Sequence, residues 1–384
     1  MRVVVAIDSF KGSLTSLEAG NSIKEGITRV FGDADVKVAP IADGGEGTVT
    51  ALVNGLGGEF IHTEVEGPLG EKVLAEWGVI ERDRADSSSL TAVIEMAAAS
   101  GITLVPKDRL NPLYTSTYGV GELIRDAIRR GIRRFIIGIG GSSTNDGGIG
   151  MLEALGFKFL DSHGEEISRG AIGLKDLCSI DTSEVISELK DCTFRIVCDV
   201  QNPLCGATGC SKVYGPQKGA TSDMIKDMDS WLKKYAVISG GNPEEPGTGA
   251  AGGMGYAFRT FMNATLERGI DIIIEETGIP ELIKDSDLVI TGEGRIDSQT
   301  IMGKVPVGIA RIAKKYNKRV IAFCGCATKD SGICNGHGID AIFPILREVV
   351  TLDEALLREV ATRNLTATTE QVMRVMKMSE GTNI

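Results

Sequence analysis

Arg2-Val-Val-Val-Ala-Ile-Asp-Ser-Phe-Lys-Gly-Ser13 opens the chain and decides its reading. The first half is an apolar, β-branched run, as expected for a parallel strand covered on both faces. The second half is a glycine turn carrying a carboxylate, hydroxyls and a lysine. Leu14, Leu17, Ile23, Ile27 and Val30 then recur at roughly helical spacing. A second strand is predicted over 36–41, a second polar turn at Asp43-Gly-Gly-Glu-Gly-Thr48, and a helix over 47–56. This β-α-β-α order begins a doubly wound sheet.

Further along, the pattern changes. Residues 59–65 and 72–80 alternate around Gly67-Pro-Leu-Gly70, which reads as antiparallel pairing, and 83–89 is a polar loop. Strands are expected over 91–94, 134–139 and 195–200, and helices over 118–130, 150–156, 222–235 and 255–268. Regular alternation returns with strands over 287–290, 319–324 and 340–344 and a helix over 305–315. Thr351-Leu-Asp-Glu354 is a capping box opening a terminal helix pair. Two strands from the start and three from the end would complete a five-stranded, flavodoxin-like parallel sheet. The fold class is therefore two α/β domains: a discontinuous flavodoxin-like one (1–62 and 283–384) and an inserted mixed-sheet one (63–282). An active site is expected in the cleft between them.

A length of 384 residues with 42% hydrophobic content suits two packed domains. The net charge of −11 argues against nucleic acid or an anionic membrane as the main partner. Eight cysteines show no paired zinc spacing, and no apolar stretch reaches the ~20 residues of a membrane span. A cytoplasmic protein is the simplest expectation.

The 49 glycines gather in polar turns at strand ends. Glycine lets backbone amides approach an anion, and a following helix adds its positive end. Such turns suggest a phosphate site with acids able to hold Mg²⁺. Gly138-Ile-Gly-Gly-Ser-Ser-Thr-Asn-Asp-Gly-Gly148 is the most specific of them. Asp199-Val-Gln-Asn-Pro203 reads as an Asx turn or as a metal ligand or general base, and Lys11 as a solvated turn lysine or a phosphate contact. Asp43 and Glu46 read either as helix caps or, with Asp8 at a similar place one strand away, as acids facing one crevice. Arg295 could form a surface ion pair or clamp a carboxylate. The region from Gly294 to Gly303-Lys304-Val305 lacks phosphate-loop spacing. Gly247-Thr-Gly-Ala-Ala-Gly252 has dinucleotide letters but no preceding strand, so close packing or a phosphate approach is the better reading.

Together, Ala6–Ser13, Ala42–Thr48, Gly138–Gly148, Cys198-Asp-Val-Gln-Asn-Pro-Leu204 and Thr291-Gly-Glu-Gly-Arg-Ile-Asp297 resemble the type 1 glycerate kinase family of bacteria, essentially end to end. The resemblance implies ATP-dependent phosphorylation of D-glycerate, commonly to 2-phosphoglycerate, with Mg²⁺ and with no nucleic-acid or membrane partner. A homodimer is compatible with it. Within these motifs Lys11, Asp199 and Asp297 are the candidate catalytic residues. Ser9, Ser142, Ser143, Thr144, Asn145 and Arg295 are candidates for substrate binding, and Arg295 for the glycerate carboxylate in particular. Gly12, Ser13, Gly44, Gly45, Gly140 and Gly141 are candidates for the phosphates, and Asp43, Asp199 and Glu293 for the metal. The alternatives are transfer to the 3-hydroxyl, a nicotinamide-dependent hydroxy-acid dehydrogenase, or a small-anion sensor.

Overall fold

The structure, a computed structural model, describes residues 1–41, 48–81 and 90–380. Asp43, Gly44, Gly45 and Glu46, with the loop at 83–89, lie outside the described residues. The chain forms two compact units, residues 1–43 with 270–384, and residues 44–269.

In the first unit a five-stranded sheet runs in the spatial order Asp35–Val38, Arg2–Val5, Leu288–Ile296, Arg319–Ala327, Ala341–Pro344. Every neighbouring pair is parallel. Counted along the chain, the order is 2-1-3-4-5, the flavodoxin-like arrangement expected. Its switch point lies between Arg2–Val5 and Leu288–Ile296, and a ligand is expected at the carboxyl ends of these strands. The helix Ser16–Thr28 begins with a capping box between Thr15 and Glu18 and buries Ala19, Ile23 and Ile27. Gly26 lets it pack close to the helix Arg358–Glu380, since a Cβ there would fall 2.6 Å from the Thr366 carbonyl.

The strand Leu288–Ile296 is longer than the 287–290 expected, so the Thr291–Arg295 motif is strand rather than turn. Its glycines follow from crowding. A Cβ on Gly292 would sit 1.9 Å from the Phe323 carbonyl oxygen, and one on Gly325 2.6 Å from that of Gly294. Glycine here is the condition for pairing, although its letters suggest a break.

The second unit is built on a six-stranded mixed sheet in the order Thr265–Glu267, Thr193–Val197, Arg134–Gly138, Leu90–Glu95, Lys72–Glu81, Glu59–Glu66. The first three joints are parallel and the last two antiparallel. The helix expected over 255–268 stops at Met262. Asn263 turns left-handed at φ 48°, a conformation Asn tolerates, and Thr265–Glu267 becomes an edge strand.

The unit boundaries also differ from those read in sequence. Glu59–Glu66 pairs along its whole length with Lys72–Glu81, so residues 59–62 belong to the second sheet. The helix Thr48–Leu56 packs on that hairpin, with Val53 filling the space over Gly78. At the other end Ile270 sits over Gly308, which places the helix that begins at Gly269 largely in the first unit.

Candidate active site

In the first unit a cavity of about 360 Å³ opens at the carboxyl ends of the central strands. Asp8, Ser9, Lys11 and Ser13 reach it from the turn after Arg2–Val5, and Glu293 and Arg295 from the neighbouring strand. Gly12 adopts φ 80°, which a side chain would resist, and closes this turn beneath the Phe10–Leu14 bridge. Lys304, at the start of the helix Val305–Lys315, completes the charged side.

Glu293 is only 7% exposed. It accepts the Thr300 hydroxyl at 2.6 Å and the Lys304 ammonium at 3.2 Å. Burial raises its pKa, and these two partners only partly offset that. The Ser13 hydroxyl is buried without a partner. A buried polar atom of this kind costs free energy unless a ligand or water satisfies it. Arg295 pairs with Asp297 at 3.2 Å. Asp297 also caps the following turn through the Gln299 amide, and it is not among the residues lining the cavity.

The Gly140–Asp146 loop belongs to the second unit, where much of its polarity is turned inward. The Ser143 hydroxyl donates to the Ser100 carbonyl, and the Asn145 amide to the Ser211 hydroxyl. Asp146, fully buried, accepts from the Thr117 amide and hydroxyl and from the Gly148 amide. Thr144 Oγ1 and Asn145 Oδ1 have no partner. Gly141 takes φ 71°, and Gly252 and Gly253 press against the loop from outside, where a Cβ on Gly252 would lie 2.2 Å from the Thr144 carbonyl. That contact accounts for the dinucleotide-like letters at 247–252 as close packing.

Sequence reasoning missed Lys218. It is 1% exposed and donates to Ser142 Oγ at 2.7 Å and to the Thr144 carbonyl at 2.6 Å. Burial pushes its pKa down to about 8. With Lys218 donating to its oxygen, Ser142 keeps its own proton to offer elsewhere. Lys304 was missed as well, because its spacing from Gly294 fits no phosphate loop. Asp199, at the end of Thr193–Val197, is exposed and accepts the Gly269 amide at 3.2 Å.

Glu153, on the helix Ile149–Ala154 that follows the loop, pairs with Arg169, which also reaches Glu66 and stacks 3.5 Å over the Tyr118 ring. Desolvation outweighs that pairing and raises the Glu153 pKa to about 7. Between pH 4.5 and 7 the folded state then holds more protons than the unfolded chain, so stability falls as pH rises through this window. Glu153→Gln should remove that slope, worth about 3 kcal/mol at most. Urea midpoints at pH 5 and pH 8 check this, and an unchanged pH dependence in the variant would assign the effect elsewhere.

The model of the glycerate kinase family matches residues 3–377. The chain belongs to the glycerate kinase family. Escherichia coli glycerate 2-kinase is 47% identical over 97% of this chain and 99% of its own. The glycerate kinase of Haemophilus influenzae is 46% identical over 98% and 99% respectively. A solved structure from Salmonella typhimurium LT2, described as a glycerate kinase 2, superposes with a TM-score of 0.89 at 45% identity, covering both chains completely. The chain is accordingly an enzyme of the kinase class built on two α/β units. Among its described residues no helix is long and apolar enough to cross a membrane.

Proposed function

We propose that the protein phosphorylates D-glycerate with ATP and Mg²⁺ in the cytoplasm, giving 2-phosphoglycerate. The observation that carries the reading is the cavity at the switch point, lined by Lys11, Lys304 and Arg295 together with Glu293 and a buried, unpartnered Ser13 hydroxyl. Phosphoryl transfer through a loose transition state asks a protein mainly for positioning and charge neutralisation. Lys11, with the Gly12 amide and the unpartnered Ser13 hydroxyl, supplies both at a strand end, the Ser13 amide being spent on the Phe10 carbonyl. Gly140, Gly141 and the free proton of Ser142 form the second polar constellation. Ser143 and Asn145 act there chiefly as braces, since their side chains already bond to the chain.

Among the described residues no group of three or more His, Cys, Asp or Glu side chains is arranged to hold a metal alone. Mg²⁺ keeps several waters and borrows phosphate oxygens, so one or two carboxylates suffice. Glu293 fits that smaller demand, being buried, facing the cavity and only partly neutralised by Lys304. Asp199 and Asp43 are the further candidates. When bound, the cation would neutralise phosphate charge. Glu293→Gln should raise the Mg²⁺ concentration giving half-maximal rate by roughly tenfold. An unaltered Mg²⁺ titration would leave Glu293 as the anchor of Lys304 alone.

Asp297, already committed to the Gln299 amide and Arg295, would have to leave Arg295 to take a proton from glycerate. Arg295 would then be free for the substrate carboxylate, with Ser9 nearby on the cavity wall. The activity itself is tested by ADP release coupled to an indicator reaction. Release should require both D-glycerate and Mg-ATP. Release without glycerate, or reduction of a nicotinamide by glycerate, would overturn the proposal.

A further inference from the structure

The charged residues of the 360 Å³ cavity come from the strand ends and, for Lys304, a helix start, but its remaining wall is of a different character. Ile345 and Leu346 follow the last strand, Leu352, Ala355 and Leu356 come from the helix Leu352–Leu356, and Ala361 from the terminal helix. Glycerate, three carbons with a polar group on each, has no surface to lay against such a wall. The two sides of the cavity adjoin: a Cβ on Gly12, in the lysine turn, would lie 3.8 Å from Leu356 Cδ2. The cavity therefore suits one ligand with an apolar half and an anionic half.

Asn364 lies three residues beyond Ala361 on the same helix face, lines the cavity and is 4% exposed. Its carboxamide takes no hydrogen bond from the described residues. Open to the cavity and unspent on the chain, the carboxamide offers a ligand two donors and an acceptor. A flat ring presenting a donor beside an acceptor would satisfy it. Adenine presents that pair at N6 and N7, whereas guanine presents two acceptors at the same edge.

We propose that this cavity is the nucleoside subsite of the phosphoryl donor, with adenine against the apolar wall and its N6–N7 edge read by Asn364. The assignment rests on the ATP-dependent activity proposed above. It makes Asn364 and the helix Leu352–Leu356 the determinants of base preference, and Lys11 and Lys304 those of phosphate binding.

The test measures ADP affinity by calorimetry and kcat/KM with ATP and with GTP, for wild type, Asn364→Ala and Ala355→Phe. Ala355 is half-buried on a short helix, so a larger side chain there fills the cavity without entering the core. Asn364→Ala should weaken ADP roughly tenfold to a hundredfold and reduce the ATP-over-GTP preference by a similar factor. The KM for D-glycerate should stay within about twofold. Ala355→Phe should weaken ADP while leaving inhibition by inorganic pyrophosphate unchanged, and it decides the matter alone should Asn364→Ala not fold. Wild-type ADP affinity in Ala355→Phe, or an unchanged ATP/GTP ratio in folded Asn364→Ala, overturns the subsite. Either result in an enzyme that still phosphorylates glycerate leaves the activity standing. Failure of wild type to transfer phosphate from ATP to glycerate removes both.

Discussion

Lys11→Ala should lower kcat by roughly a hundredfold to a thousandfold, the usual consequence of deleting a preorganised charge from the transition state. Lys11 is exposed on a turn whose shape is fixed by the Phe10–Leu14 bridge and by Gly12 at φ 80°. It lines the cavity beside Ser13, Glu293 and Lys304. A compact ammonium suits a phosphate oxygen, and the broader guanidinium of Lys11→Arg should restore only a small part of the rate. Saturating both substrates separates turnover from binding, and the unfolding midpoint guards against collapse of the turn. Turnover near wild type in Lys11→Ala would remove this lysine from the chemistry.

Lys218→Met should cost stability rather than only rate, by about 3 kcal/mol or more. The ammonium is buried, it satisfies Ser142 Oγ and the Thr144 carbonyl, and its charge lies near Asp146. Methionine fills a similar volume but leaves both oxygens unpaired. The pH dependence gives a second signature. The amine's pKa is about 8 in the fold, below the ordinary lysine value of 10.5. Between those values the unfolded chain binds more protons, so stability rises with pH across the window and carries a constant penalty below it. Lys218→Met should abolish that rise. Urea unfolding from pH 7 to 10 measures both effects, and equal stability with the same pH slope would show that the loop does not depend on this lysine.

The five-stranded sheet was legible because its strands are short apolar runs, each ending in a polar turn. Val3–Ile7 and Leu288–Ile290 are almost wholly buried, and no surface pattern confuses them. The reach of Leu288–Ile296 through the five polar or glycine positions Thr291–Arg295 was not legible. Glycine letters look the same whether they make a turn or permit close pairing, and the Phe323 carbonyl that decides the case is remote in sequence. The edge strand Thr265–Glu267 was hidden for a similar reason, since its partner lies about 70 residues earlier.

At the site, the turns were found but not their direction. Ser142 to Asp146 reads as a cradle for a ligand, yet Ser143 and Asn145 spend their side chains on Ser100 and Ser211. Lys218 sits in Pro216-Gln-Lys-Gly219, which reads as a surface turn, and its partner Ser142 lies 76 residues away. Asn364 is one polar letter in a helix of mixed polarity. Only the packing of Ala361 and Leu356 beside it makes it notable. Chemistry held by long-range burial leaves no local pattern to read.

The central chemistry is transfer of phosphate to one hydroxyl of glycerate. Incubation with D-glycerate and Mg-ATP, followed by ³¹P–¹H correlation of the product, tests it most directly. The product's phosphorus should couple to the single proton on C2. Coupling to the two protons on C3, or no phosphorylated glycerate at all, would contradict it.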